Sequence, residues 1–310
     1  MSTHPVREIS VVYTTGWCRS GTTILGNILN EVDGWLHVGE LHFLWRNGVL
    51  GTGTNELCGC GERLRECGVW GSVLREHESA TGRSLERIGQ DVERWQQSAF
   101  RTRHTFGLLR RDPPALRPGA DTAGYLDALA RTYHAAAAAT GASVLVDSSK
   151  YASEAALLGR MLGVRPAIVH MVRDPRGVAL SWAQPKGYMP SMGPAASTLH
   201  WIGFNLAAEA VNARYRDRSL TLRYEDFMAE PQASVERVLR LGGGGANPVD
   251  GDTVTLGANH TVTGNPDRFA SGAVRLRRDD RWRARLPRRD AATVCAIGGA
   301  MMLSYGYMDR

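Results

Sequence analysis

Short apolar or β-branched runs recur along the chain, and each of them ends in polar residues. Four have the length and composition of buried strands. They lie at Ile9–Thr14, Ser143–Asp147, Ala167–Val172 and Ser219–Arg223. Because segments of helical periodicity separate these runs, the pattern predicts parallel strand pairing and an α/β fold with a central parallel sheet.

Apolar residues at helical spacing predict the connecting helices. These segments are Thr22–Glu31, Ala152–Leu162, Pro175–Ala183 and Ser197–Arg216. A proline suits the first turn of a helix, where its missing N–H has no partner to lose, so Pro175 supports the third helix. We therefore expect helices on both faces of the sheet.

About a hundred residues between the first two predicted strands have a different character. They include CGCGERLRECGVW, an arginine-rich helical pattern over Leu85–Arg111 and the turn segment DPPALRPG. We interpret residues 1–310 as a single domain with a helical, cysteine-containing cap inserted at about 44–120, and the proline-rich stretch as its hinge or linker.

Composition and charge narrow the function classes only a little. The 310 residues are 43% hydrophobic and 22% charged, with a net charge of +6. This balance suits an anionic ligand as well as nucleic acid, but the chain contains no recognisable nucleic-acid-binding module. A basic cap segment, RTRHTFGLLRRD, is equally typical of a solvated helix face, so we expect no nucleic-acid partner.

The cellular setting is an expectation from composition. The N-terminal residues contain no apolar run of signal-peptide length, and nowhere do ~18 consecutive apolar residues occur. We therefore expect a cytoplasmic protein without a membrane span, and the richness in Ala, Arg and Gly suggests a bacterial source. The sequence does not determine the oligomeric state, and a homodimer is compatible with it.

The stretch GWCRSGTT, residues 16–23, joins a predicted strand to a predicted helix. It fits the phosphate-loop pattern GxxxxGK[ST] except that Thr22 replaces the lysine that reaches the β- and γ-phosphates. Backbone amides and the helix N-terminus can hold one phosphate without that lysine, and Arg19 adds a permanently charged fork. The loop therefore suits a donor with a short 5′ anionic group better than ATP.

A second candidate anion site lies in VHMVRDPRGVALSWA. Arg173 ends a predicted strand and Ser181 follows eight residues later in the next helix, so both can turn toward the same edge of the sheet. The alternative is a local surface salt bridge involving Arg173, Asp174 and Arg176.

Together these motifs resemble those of the sulfotransferases that use 3′-phosphoadenosine 5′-phosphosulfate (PAPS). The resemblance implies a P-loop-containing three-layer sandwich. It also implies a 5′-phosphosulfate site at the loop, a 3′-phosphate site at the strand-end arginine, an adenine-stacking tyrosine in LRYEDFMAEP and a further phosphate ligand in GNPDRF. The corresponding residues are Arg19, Ser20, Gly21, Thr22 and Thr23, then Arg173 with Ser181, then Tyr224, and last Arg268.

An arginine in the loop makes the chain most similar to the tyrosylprotein and carbohydrate-type branches of these enzymes. The resemblance then implies Glu40, about twenty residues past Arg19, as the catalytic base, and Lys150 as the contact to the transferring sulfuryl group. His42 is the rival base, because an imidazole has a pKa nearer to neutral pH than an unperturbed carboxylate.

The predicted activity is transfer of a sulfuryl group from PAPS to a hydroxyl of a small-molecule or carbohydrate acceptor. By analogy with phosphoryl transfer, positioning and charge stabilisation dominate, and no metal is required, since lysine and arginine can replace Mg²⁺. The alternative enzyme class is a P-loop kinase or NTPase, which needs the lysine that the loop lacks. A non-catalytic nucleotide-binding module is a third class, against which Glu40 and Lys150 argue.

Three cysteines of the cap, Cys58, Cys60 and Cys67, raise the question of a zinc site. CxC with a third cysteine is an incomplete tetrahedral set, and His77 is a speculative fourth ligand. We therefore expect unmetallated thiols or a local disulfide in the cap rather than zinc.

Overall fold

Five parallel strands form the centre of the computed structural model, which describes residues 8–110, 121–184 and 190–308. They are β1 (Ile9–Thr15), β2 (Trp35–Gly39), β3 (Val144–Lys150), β4 (Val164–Val172) and β5 (Ser219–Arg223). Their order in the sheet is β2-β3-β1-β4-β5, so β1 is the central strand. From β1 the chain crosses to β2 and β3 on one side and then to β4 and β5 on the other, so the strand order reverses beside β1. Ligands of such sheets bind at the carboxyl edge beside that reversal.

The helices of the described chain surround this sheet. They are α1 (Thr22–Asn30), α2 (Gly68–Thr81), α3 (Leu85–Ala99), α4 (Thr105–Arg110), α5 (Asp121–Thr140), α6 (Ala152–Ala155), α7 (Pro175–Ala183), α8 (Pro194–Arg214), α9 (Tyr224–Ala229), α10 (Pro231–Gly242), α11 (Trp282–Arg285) and α12 (Arg288–Ser304). Within the described ranges, none of these helices is long and apolar enough to cross a membrane.

Alternation along the strands produces two cores, one on each face of the sheet. In β1, Val11 and Tyr13 belong to the core that includes α5, α6 and α8, whereas Val12 belongs to the core that includes α1, α9 and α10. All three side chains are fully buried, as expected of a strand covered on both faces. The predicted three-layer α/β sandwich is therefore confirmed.

A second, antiparallel sheet lies outside the pattern predicted from the sequence. It consists of β6 (Val249–Asp250), β7 (Thr253–Leu256) and β8 (Gly272–Arg275), in the order β6-β7-β8. β7 and β8 are joined by a segment that includes Val262, whose N–H donates to Val38 O at 2.9 Å. This segment therefore runs back to the carboxyl end of β2.

The four predicted strands are all present, but β2 was not predicted. It is a five-residue strand, WLHVG, that follows Gly34 and ends at Gly39, and both glycines have a positive φ. The prediction of one helix over Ala152–Leu162 is wrong, because α6 ends at Ala155 and a 3₁₀ turn follows at Leu158–Arg160. Tertiary contacts override the helical pattern there: the N–H of Gly159 donates to the hydroxyl of Tyr215.

Helices α2 and α3 of the cap pack against α5, so the inserted segment and the helix that leads into β3 share a core. The helical pattern predicted over Leu85–Arg111 is interrupted in the structure, which divides it into α3, a 3₁₀ turn at Thr102–His104 and α4. The proposed hinge DPPALRPG lies outside the described residues. The cap boundaries at about 44–120 stay a prediction.

Asp147 in β3 is fully buried and accepts hydrogen bonds from Ser149 N, Ser149 Oγ and Tyr133 Oη. Burial raises the pKa of its carboxyl to about 6, so the folded protein holds the proton more tightly than the unfolded chain does. The stability that this proton contributes is present below the unfolded pKa, near ~4, and is lost as pH rises through about 6.

We expect Asp147→Asn to become more stable relative to the wild type as pH rises from ~4.5 to ~7.5, by about 2 kcal/mol. Urea unfolding at the two pH values measures this difference. Asp127→Asn, at an exposed position on α5, is the matched control and should show a much smaller change. An Asp147→Asn effect of equal size at both pH values would contradict the assignment.

Candidate active site

The loop after β1 folds so tightly against its neighbours that glycine is required at two positions. Gly16 has φ +117°, and a Cβ there would lie 2.2 Å from the carbonyl oxygen of Met171. Gly21 has φ +88°, and a Cβ there would lie 2.8 Å from Cδ2 of Tyr224. The loop is therefore held between β4 and the first turn of α9.

Helix α1 begins directly after Gly21, so its free N–H groups lie at the carboxyl edge of the sheet. Ser20 is buried and donates from Oγ to Trp17 O at 2.8 Å, which ties the loop to itself. Arg19 adopts a left-handed conformation with φ 73°, and its guanidinium lies 5.9 Å from the ring centroid of Trp182. This geometry is that of a phosphate-binding loop with an arginine at its rim.

A cavity of about 1100 Å³ opens in front of the loop. Most of the predicted site residues line it, namely Arg19, Gly21, Thr22, Thr23, Glu40, Lys150, Arg173, Ser181 and Tyr224. The sequence therefore predicted a set of residues that the fold brings together from β1, β2, β3, β4, α7 and α9.

Arg173 lies at the end of β4 with a side chain that is only 9% exposed. Its guanidinium donates to Arg19 O at 3.1 Å and to the Asp279 carboxylate at 3.2 Å, and it lies 4.3 Å from the ring centroid of Tyr224. The local salt bridge considered from the sequence is formed by the other arginine, since Asp174 pairs with Arg176 at 2.7 Å. Arg173 is thereby directed into the cavity rather than along the surface.

The sequence analysis missed a basic run on the opposite wall. Arg275, Arg277 and Arg281 line the cavity together with Asp279. Hydrogen bonding from Arg281, and then the charge of Arg173, hold the pKa of Asp279 well below its usual range, so this carboxyl is ionised. The segment RLRRDDRWR is a visible signal of positive charge, but its position beside the loop follows only from the fold of β8.

Lys150 and Glu40 form an ion pair at the carboxyl ends of β3 and β2. Lys150 Nζ lies 2.7 Å from Glu40 Oε1 and donates to Ser148 O at 2.6 Å, and the two side chains are 6% and 17% exposed. The strand register between β1 and β3 shifts near this point, and Lys150 has φ 72°. Such irregularities re-aim side chains at functional sites, here into the cavity.

His42 makes a different pair. Its Nδ1 contacts the carboxylate of Glu154, which is fully buried and also accepts from Tyr13 Oη at 2.8 Å and Tyr125 Oη at 2.6 Å. The imidazole stacks on Tyr151 with centroids 3.9 Å apart. The sequence analysis did not find Glu154, which lies in the segment that it treated as the start of an ordinary helix, or Tyr151, which immediately precedes that segment.

A second cavity, of about 810 Å³, adjoins the first. The two share part of their walls, at Phe43, Arg46, Tyr151, His200 and Phe204. His42 lines the second cavity, and Glu40 and Lys150 line the first. The ion pair and the histidine therefore lie on the walls of two adjoining cavities.

Arg268, like Ser20, is a predicted phosphate-site residue that lines neither cavity. It is 1% exposed, and its guanidinium donates to Asn55 Oδ1 at 2.9 Å and to Leu57 O at 3.1 Å. These contacts connect the 3₁₀ turn Pro266–Phe269 to the cap. The geometry favours a role for Arg268 in holding that turn in place.

A glycine-rich strand-to-helix loop, a second buried arginine and a lysine–glutamate pair line one cavity at the carboxyl edge of a parallel sheet, which is the arrangement of a group-transfer enzyme. The model of the Sulfotransferase family matches residues 12–243, so the chain belongs to the sulfotransferase family and is a sulfotransferase. No curated protein gave a match to the sequence.

Solved structures of similar fold are also sulfotransferase domains. The sulfotransferase domain from the curacin biosynthetic pathway is 15% identical, with 96% of this chain and 98% of that chain covered and a TM-score of 0.50. The domain from the Synechococcus PCC 7002 olefin synthase is 19% identical, with 97% and 96% covered and a TM-score of 0.49. At 15% identity, the likeness to the domain from the curacin pathway concerns the fold alone.

Gly16→Ala should destabilise the protein by about 3 kcal/mol or more, because left-handed strain and a backbone clash add together. Gly141→Ala is the matched control: Gly141 also has a positive φ of +75°, but a Cβ there would meet nothing within 4 Å. The control should lose only about 1–2 kcal/mol. Denaturant unfolding of both variants measures the difference, and equal losses would show that the approach to Met171 O is unimportant.

Proposed function

We propose that this sulfotransferase transfers the sulfuryl group of PAPS to a hydroxyl of a small-molecule or carbohydrate acceptor. The observation that supports the proposal is that the two sets of residues predicted to bind anions line one cavity. Arg19 and the N-terminus of α1 form one of them, and Arg173 with Ser181 forms the other. A nucleotide with phosphate groups on both its 5′ and 3′ positions suits two such elements better than a 5′-triphosphate does.

In this proposal the loop holds the 5′-phosphosulfate and Arg173 with Ser181 holds the 3′-phosphate. The Asp279 carboxylate accepts a charge-assisted hydrogen bond from Arg173. In this proposal, a bound phosphate replaces that carboxylate as the partner of Arg173. Tyr224 contacts both partners of this ion pair. The Arg173 guanidinium lies over the ring of Tyr224, and the hydroxyl of Tyr224 accepts from Asp279 N at 3.1 Å. Its predicted stacking on adenine belongs to the same proposal.

The transfer step is an in-line displacement at sulfur. A bond forms between the acceptor oxygen and sulfur, the bond from sulfur to the 5′-phosphate oxygen breaks, and the acceptor proton passes to Glu40. Adenosine 3′,5′-bisphosphate leaves with its new negative charge stabilised by Lys150 and Arg19. Lys150 already contacts Glu40, so it can neutralise the carboxylate before transfer and the leaving oxygen afterwards.

His42 is the alternative base, and one observation favours it. The buried Glu154 carboxylate contacts Nδ1, which leaves Nε2 as the nitrogen that can accept a proton. Burial, and then the Glu154 charge, raise the pKa of Tyr125 well above its ordinary value, so this phenol stays protonated and donates to the carboxylate. Such a hydrogen-bonded pair orients an imidazole as a triad carboxylate does.

We propose the second cavity as the acceptor site. Aromatic side chains and arginines share its walls, including Phe43, Phe100, Tyr151, Arg101 and Arg103. Aromatic faces bind sugar and phenol rings alike, whereas arginines favour an acceptor that already carries negative charge. This composition suits a small polar molecule with a ring better than a wholly apolar lipid.

Adenosine 3′,5′-bisphosphate should stabilise the protein against heat in magnesium-free buffer, by about 2.7 kcal/mol at a hundredfold excess over its Kd. The expectation rests on a site built from amides and arginines. Thermal denaturation with and without Mg²⁺ measures it, with AMP and ATP as comparison ligands. Stabilisation by ATP with Mg²⁺ alone would favour a kinase mechanism instead.

Arg173→Ala provides the internal control for that experiment. Loss of a charge-assisted contact typically costs ~1.5–3 kcal/mol. In Arg173→Ala the binding free energy of adenosine 3′,5′-bisphosphate should weaken by this amount, whereas that of AMP should not change. Arg176→Ala, beside it on α7, should leave the preference for the bisphosphate unchanged, since Arg176 pairs with Asp174. Equal losses of both nucleotides in Arg173→Ala would remove the 3′-phosphate assignment.

Glu40→Gln should lower kcat by ~10²–10⁴ while nucleotide affinity stays nearly constant, because glutamine can still accept a hydrogen bond from Lys150 but carries no charge and cannot take the acceptor proton. His42→Ala should act chiefly on the KM of the acceptor. Both variants are measured by their kcat and KM with a series of phenol acceptors of decreasing pKa. A phenol that is already partly ionised needs less help from a base, so the loss of kcat in Glu40→Gln should become smaller along the series.

The reverse pattern would move the base to the histidine. If His42→Ala lowers kcat strongly and Glu40→Gln does so mildly, Glu154→Gln should reproduce the His42→Ala defect with a shifted pH profile. That result would leave the donor assignment intact, because neither residue belongs to the loop or to the Arg173 element.

A further inference from the structure

Three cysteines of the cap and one histidine from the segment between β7 and β8 meet at a single point. They are Cys58, Cys60, Cys67 and His260. Their ligand atoms all lie within 4.8 Å of one another, with Cys67 Sγ 3.3 Å and Cys58 Sγ 3.7 Å from His260 Nδ1. Cys58 and Cys67 are buried, whereas Cys60 and His260 are partly exposed.

We propose that these four residues form a zinc site that joins the cap to the segment beside Glu40. Three sulfurs and one imidazole nitrogen make a complete tetrahedral set of the kind found in structural zinc sites. With Zn–S bonds of ~2.3 Å and a Zn–N bond of ~2.0 Å, neighbouring ligand atoms stand ~3.5–3.8 Å apart. The observed separations, 3.3 Å and 3.7 Å from His260 Nδ1 and no more than 4.8 Å between any two ligand atoms, lie on either side of that range.

The cluster differs in one residue from the set considered from the sequence. His77 lies elsewhere: it is buried on α2, its Nε2 lies 2.9 Å from Thr132 Oγ1, and its ring packs edge-on against Trp45. His260 takes its place, although it is 193 residues away from Cys67 in the chain. The expectation of a local disulfide is not met either, since all five cysteines, each within the described ranges, are free thiols.

Backbone contacts fix the ligands on both sides of the cluster. Cys67 immediately precedes the first turn of α2, which begins at Gly68, and its Sγ lies 3.3 Å from His260 Nδ1. The indole N–H of Trp70 donates to His260 O at 2.6 Å, which fixes the backbone of the histidine. Contacts of this kind around the ligands orient and tune metal sites.

The loop that carries the first two cysteines is shaped to meet the histidine segment. A Cβ at Gly59 would lie 1.9 Å from Asn259 Oδ1, so only glycine permits this approach. Gly59 N donates to Thr261 O at 3.0 Å, and Cys58 forms an isolated bridge with Val262. The two segments are therefore in register at the point where the ligands converge.

The same segment reaches the candidate active site. Val262 O accepts from Glu40 N at 2.6 Å, and Val262 N donates to Val38 O at 2.9 Å. None of the four cluster residues lines either of the two cavities described above. With four protein ligands and no place for a substrate, the site is structural: zinc holds the Val262 segment, and that segment holds the backbone of Glu40.

The test is the metal content of the full chain, purified under reducing conditions without chelators and without a histidine tag. We expect about one zinc per chain by mass spectrometry, and a visible spectrum of tetrahedral, thiolate-bound cobalt after replacement with Co²⁺. Cys60→Ser, Cys67→Ser and His260→Ala should each lose the bound metal. Cys295→Ser and His134→Ala, which lie outside the cluster, should keep it.

Hydrogen exchange gives a readout that does not depend on activity or on the variants. Removing zinc from the wild type should increase exchange at the amides of Glu40 and Val262, and adding zinc back should restore protection. Absence of metal from the wild type together with no cobalt spectrum would overturn the proposal, as would zinc that all three variants retain or a disulfide within the cluster. None of these measurements requires nucleotide, so they stand apart from the test of PAPS binding.

Discussion

The ion pair between Lys150 and Glu40 is the interaction on which the proposed chemistry depends. It is formed at the carboxyl ends of two neighbouring strands, and both partners are largely withdrawn from water. Taking two charges out of water is costly, and their attraction offsets that cost only in good geometry. The structure supplies the geometry through a register shift in the sheet and a left-handed backbone at Lys150, both of which are unfavourable in isolation.

A buried polar network behind the strand ends holds this irregular backbone in place. Asp147 accepts from the N–H and hydroxyl of Ser149, and Ser149 Oγ accepts from His42 N at 3.0 Å. Glu154, in the short helix α6 that follows β3, contacts Nδ1 of His42. His42 is therefore positioned by one connected set of hydrogen bonds, so a change at Asp147 or Glu154 should be felt at this candidate base. Lys150 is held at the same strand end by its bond to Ser148 O.

The sequence predicted what depends on local pattern and on motifs that are contiguous in the chain. The strands that it found are β-branched runs, and the phosphate loop and the Arg173–Ser181 pair each lie within one strand–helix unit. It failed where contacts with distant residues decide the local structure. β2 is a short edge strand that ends at a glycine, and the helical pattern beyond α6 is not followed where Gly159 donates to the hydroxyl of Tyr215. Arg268 has the right residue type in a suggestive motif, yet its side chain turns toward Asn55.

His260 illustrates the same limit in its sharpest form. Nothing in its own neighbourhood, GANHTV, marks it as a ligand, and the cysteines alone make an incomplete set. Only the return of the chain along β2 brings the histidine to them, and that return also sets Val262 against Glu40. If the four residues hold zinc, the metal closes a loop of about two hundred residues, and loops of that length carry a large entropic cost in the unfolded chain. The cap would then stabilise the carboxyl end of β2 as well as line the proposed acceptor cavity, which gives the three cysteines a physical reason to lie there.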